Sequence, residues 1–240
     1  MDALTISAAS GLRARLESLE MLANNLANAA TGGYKADREF YSLYASPEAA
    51  ATGSATLPVI ERHWTDFSSG TLRSTGNPLD LALAGRGFFA VNGPSGVLYT
   101  RNGSFRISPA GLLLGPEGHP VRAAGGGAIT LRPGIPLEAG PDGTVRQQGQ
   151  TLGKLEIADF ADPSALAKQG NTYFRAVGVN PAASTAEVRQ GHLEDSNVSS
   201  AESAVRLVSL MRQFEMLQRA ISLGGEMNRK AVEEVARPGA

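Results

Sequence analysis

Apolar residues near the end of the chain recur with the period of an α-helix. Within residues 196–223 they are spaced alternately by three and four, which places them on one narrow face. These residues are Leu207, Leu210, Phe214, Leu217 and Ile221. Such a seam is typical of a coiled coil. Ser196 and Asn197 supply side-chain oxygens for an N-cap, and Gly224-Gly225 is expected to end the helix.

A similar pattern opens the chain, within residues 4–30. One face collects Leu12, Leu16, Leu19, Leu22 or Ala23, and Leu26. Ala8 and Ala27 are interleaved with them, and such small side chains let two helix backbones approach closely. We therefore expect the first and last helices to pair, in an antiparallel or staggered arrangement. The break at Thr31-Gly32-Gly33 should end the first helix.

Asn24, Asn25 and Asn28 lie at the predicted end of the first helix. Their amides could cap carbonyl groups of the last turn, or they could form hydrogen bonds with another chain. Both roles are compatible with the sequence.

The period changes to two from Gly70 onward, and short apolar runs alternate with turn residues every 8 to 12 positions. Asn92-Gly93, Asn102-Gly103 and Asp142-Gly143 suit tight hairpin turns because they tolerate positive φ. The middle of the chain is therefore predicted to be a mainly antiparallel β domain. The small polar run from Ser46 to Thr56 is expected to be a flexible loop.

Together these patterns predict an α+β protein. Its long N- and C-terminal helices pair as a coiled-coil-like layer, and the β domain lies between them in sequence. The expected segments are an N-terminal helix (1–33), an extended linker (34–69), a β domain (70–194), and a C-terminal helix with a tail (195–240).

The composition of the chain excludes several kinds of function. The 240 residues include 22 Lys and Arg against 23 Asp and Glu, a net charge of -1, so no basic surface for nucleic acid or anionic lipid is indicated. The absence of Cys excludes disulfides and thiolate chemistry. No signal-peptide core or membrane-spanning run is evident, and these features alone predict a cytoplasmic protein.

Candidate catalytic residues are scattered. His63, His119 and His192 lack the helical spacing of a metal-binding pair, and Gly85-Arg86-Gly87 precedes a strand rather than a helix. No Ser lies in a nucleophile motif with a placed His base. We therefore expect no enzyme activity, no metal, no cofactor and no small-molecule substrate.

Three blocks of sequence resemble the rod proteins of the bacterial flagellar basal body. The first is 24–35 (NNLANAATGGYK), the second is 70–80 continuing into 85–90 and 99–103, and the third is 193–198 with 212–216. The residues that carry the signature at the two ends are Asn24, Asn25, Leu26, Asn28, Gly33, Tyr34, Ser196, Asn197 and Val198.

The resemblance implies a structural subunit that polymerises with copies of itself and other rod subunits into a hollow drive shaft from motor to hook. In such proteins the terminal helices line the inside of a tube, so the apolar seams would be assembly surfaces. Export would use the flagellar type III apparatus without a cleaved signal, placing the protein in the periplasm-spanning rod. Phe40 and Tyr44 resemble the family's short export motif, although core packing explains them equally well.

Length and the short linker favour a proximal-rod subunit, with a distal-rod subunit as the alternative. Two other classes stay open: a secreted β-rich binding module with helical arms, and a cell-wall hydrolase. The hydrolase would need two convergent carboxylates, and Asp66, Asp80 and Asp142 are candidates that sequence cannot bring together.

Overall fold

The structure is a computed structural model, which describes the backbone of residues 3–44 and 57–235. Side chains are described for residues 11–39, 63–230, 232 and 233. The predicted loop at Ser46 to Thr56 lies outside the described residues. The chain divides into two compact units: the first contains 1–27, 37–64 and 200–240, and the second contains 28–36 and 65–199.

The first unit contains two helices and a two-stranded ribbon. Helix α1 spans Ala3–Ala27, and helix α2 spans Ser200–Val235. Strands β1 (Asp37–Tyr44) and β2 (Leu57–Thr65) pair with each other. Helices α1 and α2 come within van der Waals distance, since a Cβ added at Gly11 would lie 3.9 Å from Cδ1 of Leu217.

Both predicted ends of the last helix were wrong. Gly224-Gly225 lies inside α2, which continues to Val235, because residues 226–235 are mostly strong helix formers and each glycine costs only about 1 kcal/mol relative to alanine. At the other end α2 begins at Ser200, so Ser196 and Asn197 are not its N-cap. The Ser196 hydroxyl instead accepts a hydrogen bond from the amide of Val198 at 3.2 Å.

The range predicted as an extended linker contains the ribbon β1–β2. Three aromatic residues in β1, and Val59, Ile60, Trp64 and Thr65 in β2, favour pairing. Asn25 attaches the start of β1 to α1: its Nδ2 donates to the carbonyl of Asp37 at 2.7 Å, and its Oδ1 accepts from the Asp37 amide at 3.0 Å. This Asn therefore joins two elements of one chain.

The second unit is a β domain. Its strands are β3 (Leu72–Ser74), β4 (Leu81–Ala84), β5 (Phe88–Gly93), β6 (Gly96–Thr100), β7 (Arg106–Ile107), β8 (Leu113–Leu114), β9 (Glu138–Ala139), β10 (Thr144–Gln147), β11 (Gln150–Lys154), β12 (Ile157–Asp159), β13 (Leu166–Gln169), β14 (Tyr173–Ala176), β15 (Ala182–Ala183), β16 (Glu187–Gln190) and β17 (His192–Glu194). A 3-10 turn at Pro163–Ala165 precedes β13. The α+β class and the mainly antiparallel β domain are confirmed.

The largest sheet has six antiparallel strands in the order β13-β14-β6-β5-β12-β15. Successive residues of β5 and β14 enter two different apolar clusters: Phe89 and Tyr173 belong to one, and Phe88 and Phe174 to the other. Since neighbouring side chains of a strand point to opposite faces, both faces of this sheet are buried. Smaller sheets complete the unit: β9-β10-β11, β4-β16, β3-β17 and β7-β8.

Tyr173 makes the stability of the β domain sensitive to alkaline pH. Its side chain is 1% exposed, and burial raises its pKa from 10 to about 12. A raised pKa means that the folded state holds the phenolic proton more tightly, so stability is fully present below pH 10 and is lost as pH rises through 12. We expect Tyr173→Phe to reduce the loss between pH 8 and pH 11 by about 1 to 1.5 kcal/mol.

The measurement is urea unfolding of the wild type and of Tyr173→Phe at pH 8 and pH 11. The difference between the two proteins isolates Tyr173 from the other tyrosines. Equal losses of stability in both proteins between the two pH values would contradict the expectation.

Candidate functional site

A cluster of buried charged side chains in the β domain joins three parts of the chain that are far apart in sequence. Its centre is Glu194, at the end of β17, which is 1% exposed. One carboxylate oxygen accepts from Nζ of Lys35 at 2.6 Å and from the amide of Gly70 at 3.1 Å. The other accepts from Nη1 of Arg101 at 3.3 Å. We call Lys35, Arg101 and Glu194, with the segments that carry them, the clasp.

Two cations and one anion share the clasp. Burial lowers the pKa of Lys35 below its ordinary value, and the Glu194 carboxylate opposes this shift. Burial likewise lowers the pKa of Arg101, again with Glu194 in opposition. A buried charge is tolerated only when it is paired and hydrogen-bonded. Both cations therefore depend on Glu194 for their charge balance.

Backbone carbonyl groups accept further hydrogen bonds from the two cations. Lys35 also donates to the carbonyl of Ser68 at 2.7 Å. Arg101 donates to the carbonyls of Gly85 at 2.7 Å and Leu83 at 3.3 Å, and its guanidinium carbon lies 5.5 Å from the centre of the Phe88 ring. These bonds fix the two side chains in position.

The backbone around the clasp is packed so closely that two glycines are required. Gly33 has a φ of +67°, and a Cβ there would lie 2.3 Å from the amide nitrogen of Asn102. Its own amide donates to the carbonyl of Glu194 at 2.7 Å. At Gly70 a Cβ would lie 1.9 Å from the carbonyl oxygen of Asp195. No side chain fits at either position without moving the backbone.

Asn197 joins the same segments through its amide group. Its Oδ1 accepts from the amide of Ala36 at 2.8 Å, and its Nδ2 donates to the carbonyl of Asp66 at 2.7 Å. The Asp66 amide in turn donates to the carbonyl of Ala36 at 2.8 Å. Asn197, which was predicted to be a helix cap, therefore links three chain segments: its own, the one that contains Ala36 and the one that contains Asp66.

Tyr34 fills the space beside the clasp and is fully buried. The ammonium group of Lys168 lies 4.2 Å from the centre of its ring and donates to the carbonyl of Lys35 at 3.0 Å. A cation placed over an aromatic ring is attracted by the negative face of the ring. Lys168 thus secures Tyr34 and Lys35 together.

Only some of the predicted signature residues lie at the clasp. Gly33, Tyr34 and Asn197 meet at the clasp, whereas Asn25 bonds to β1. Asn28 accepts a hydrogen bond from the hydroxyl of Thr31 at 3.3 Å, a local contact between two side chains. The other signature residues are not part of the clasp: Asn24 is exposed on α1, Leu26 is half-buried, and Ser196 bonds to Val198.

Sequence reasoning missed the charged residues of the clasp as a site. Lys35, Arg101 and Glu194 each lie in one of the three recognised blocks, but none was assigned a role. The sequence did contain a signal: each of the three motifs holds one charged residue, and the single negative charge can pair with the two positive charges.

The predicted seam residues are partly buried. In α1, Leu12, Leu19 and Leu26 are half-buried, and Leu16 is 43% exposed. All five seam residues of α2 are half-buried: Leu207, Leu210, Phe214, Leu217 and Ile221. Phe40 and Tyr44, the predicted export motif, lie in β1, but their side chains are outside the described part of the chain.

The structure also shows where some of the candidate metal-binding and catalytic side chains lie. No group of three or more His, Asp or Glu side chains in the described part of the chain could hold a metal. His119 packs edge-on against Tyr173, and Asp142 accepts bonds from Thr144 within its own turn. Neither described helix combines the length and hydropathy of a bilayer crossing.

Three family models match successive parts of the chain. Flagella basal body rod protein matches 7–35, flagellar hook protein FlgE/F/G D1 domain matches 82–151, and flagellar basal body rod FlgEFG protein C-terminal matches 189–234. Each matched segment contributes one charged residue of the clasp: Lys35, Arg101 and Glu194.

Curated relatives match nearly the whole chain. Flagellar basal-body rod protein FlgF of Caulobacter vibrioides is 34% identical, covering 91% of this chain and 92% of the relative. FlgF of Mesorhizobium japonicum is also 34% identical, covering 88% of each. Flagellar basal-body rod protein FlgG of Agrobacterium fabrum is 32% identical, covering 95% of this chain and 97% of the relative.

Proposed function

Because the chain belongs to the flagellar basal-body rod protein family, we propose that it is a structural subunit of the rod, polymerising into the hollow shaft that carries torque from motor to hook. Support comes from relatives that carry the name basal-body rod protein and cover about nine-tenths of the chain. Its role is mechanical rather than catalytic, and its partners are copies of itself and other rod subunits.

The clasp is the observation that carries this proposal. Residues 28–36, which follow α1, and 194–199, which precede α2, are joined at Glu194 within the β domain. Torque can pass through the β domain of a subunit only if both of these segments are firmly anchored in it. Breaking the clasp would leave buried ions without partners, which costs several kcal/mol, so it resists deformation.

The half-buried seams of α1 and α2 suit the coiled-coil-like layer that lines the inside of the tube in this proposal. The contact between neighbouring copies must be heterologous and non-closing, because such a contact builds a filament rather than a ring. Dense side-chain packing along the seams would give the shaft stiffness.

We place the subunit in the proximal rod. The FlgF relatives, at 34% identity, support this position, although the FlgG relative at 32% is nearly as similar. The two positions can be distinguished by expressing this chain in two bacterial strains. One strain lacks its proximal-rod subunit, and the other lacks its distal-rod subunit. Restored swimming in the proximal-rod mutant, and not in the distal-rod mutant, is expected.

Before assembly, the subunit passes through the flagellar type III export apparatus without a cleaved signal and joins the part of the rod that spans the periplasm. The resemblance of Phe40 and Tyr44 to the export motif supports this route. Replacing both with alanine should retain the subunit in the cytoplasm, as fractionation of cells would show.

The experiment that tests the proposed function is removal of α2. A chain ending at Ser199 keeps Glu194 and Asn197, so its β domain should fold, but it lacks the helix that packs on α1. Expressed in a strain lacking the full chain, it should give no rods in isolated basal bodies and no swimming. The full chain at the same level is the control.

Circular dichroism should show that the shortened protein keeps its β domain. Normal rods and wild-type swimming with this variant would refute the proposal that the terminal helices build the shaft.

A further inference from the structure

The β domain consists of a central sheet and a set of pairings that joins the two ends of the domain. The central sheet is the six-stranded one, and all its strands lie within residues 88–183. The strands at the two ends form two further pairs, β4 with β16 and β3 with β17. We call these two pairs, together with the clasp, the closure.

The closure continues directly from two strands of the central sheet. Strands β5 and β15 both pair with β12, one on each side, so the sheet holds them near each other. Residues 85–87 join β4 to β5, and residues 184–186 join β15 to β16. The Ser184 hydroxyl donates to the carbonyl of Arg86 between these two connections. Once the central sheet exists, β4 and β16 therefore lie close together, and their pairing closes only short loops.

Backbone hydrogen bonds continue the closure outward to the clasp. The amide of Gly191 donates to the carbonyl of Asp80 at 2.8 Å, and the amide of Thr75 donates to the carbonyl of Gly191 at 2.8 Å. These bonds connect the β4–β16 pair to the β3–β17 pair, which ends at Glu194. In an unfolded chain, by contrast, Glu194 must find Lys35 across 159 positions. Contacts between such distant positions form late unless earlier structure brings them together.

The central sheet has apolar packing of its own. All the buried members of one cluster lie within residues 88–174: Phe88, Ala90, Tyr99, Ala158, Phe160, Leu166 and Phe174. The closure contributes only Leu81, Leu83 and Val188 to the buried part of the other cluster, whose remaining buried members lie within 89–173. The sheet therefore keeps most of its core when the closure is absent.

We infer that the β domain folds in two steps, the central sheet first and the closure last, with the clasp as the final contact. Until the clasp forms, residues 28–36, which follow α1, and residues 194–199, which precede α2, are not fixed to the domain. Resting on the proposed function, this order makes both connections conditional on delivery of the whole β domain. The clasp needs Lys35 and Glu194 together, whichever end of the chain leaves the export channel first.

Pulse-labelling hydrogen exchange during refolding of the full chain from urea is the first test. Backbone amides of 88–100 and 166–176 should become protected roughly tenfold sooner than those of 81–84 and 187–194, with those of 28–36 last. Mass spectrometry of peptides measures each range separately. Equal rates in the sheet and the closure, or earlier protection of the closure, would overturn the inferred order.

Two leucines of the same apolar cluster provide a matched pair of variants. Leu83 lies in β4 of the closure and is 2% exposed, and Leu98 lies in β6 of the central sheet and is 3% exposed. Leu98→Ala should slow the protection of residues 166–176 by roughly tenfold or more, because its contacts form in the first step. Leu83→Ala should change that rate by less than about threefold and should mainly accelerate unfolding.

Equal slowing by Leu83→Ala and Leu98→Ala would show that β4 joins the sheet in the first step, which refutes the order. If Leu98→Ala does not fold, Leu83→Val and Leu98→Val give the same comparison with a smaller loss of packing.

The outcomes separate this inference from the proposed function. If the sheet and the closure become protected together while the wild-type chain enters basal bodies, the folding order is refuted and the rod function stands. If the order is observed but the wild-type chain is absent from basal bodies, the rod function fails and the folding order stands as a property of the β domain.

Discussion

Replacing Glu194 with glutamine is expected to lower the free energy of unfolding by about 3 to 5 kcal/mol. Glutamine keeps the shape of the side chain but leaves Lys35 and Arg101 buried without a counter-ion. The exposed fractions of the Lys35 and Arg101 side chains are 0% and 4%, so water cannot replace the lost carboxylate. Urea unfolding of the purified chain, followed by circular dichroism, measures the effect.

Asp195 is the control for this prediction. It forms an ion pair with Arg73 at 3.1 Å, but the two side chains are 38% and 59% exposed, so Asp195→Asn should cost less than about 1 kcal/mol. If Glu194→Gln does not fold, the double variant Lys35→Met with Glu194→Gln should recover part of the stability, because it removes one unpaired cation. A cost below about 1 kcal/mol for Glu194→Gln would show that the clasp is not a buried electrostatic unit.

Replacing Phe214 with aspartate is expected to abolish rod assembly and swimming. Phe214 is half-buried in the seam of α2, and a carboxylate at this position must either lose its hydration or force the helices apart. Leu210→Asp should act in the same way, because Leu210 lies one turn earlier on the seam. The measurements are swimming in soft agar and the amount of the subunit in isolated basal bodies.

Ser222→Asp is the control for the seam, because Ser222 is exposed on α2 and lies outside the seam. Circular dichroism of the soluble chains adds a second result. Reduced helicity in Phe214→Asp would assign the seam to pairing within one chain, and unchanged helicity would assign it to contacts between copies. Wild-type swimming with Phe214→Asp would count against the seam as an assembly element.

Much of the fold could be predicted because the two kinds of periodicity are strong. Three-and-four spacing identified both helices, and alternation identified the mainly antiparallel β domain. These signals are local, so they identify elements reliably and fix their ends poorly. The continuation of α2 through Gly224-Gly225 illustrates the limit, since helix formers on both sides outweigh two unfavourable residues.

The clasp could not be predicted, because its contacts are not local. Lys35 and Glu194 are 159 positions apart, and Arg101 and Glu194 are 93 apart. From the sequence alone, a charged residue in a motif is expected to be exposed to solvent unless its partner is known. Asn197 was misassigned for the same reason: an Asn close to a helix start is ordinarily a cap, and only the tertiary structure places Ala36 and Asp66 around it.

The pairing of Ala36 with Asp66 also bears on how the sequence can change in length. The amide of Asp66 donates to the carbonyl of Ala36 at 2.8 Å, so the intervening chain leaves and rejoins the β domain at one point. Insertions and deletions between these two residues should therefore accumulate during evolution without disturbing the β domain, and homologous subunits should differ most in length there.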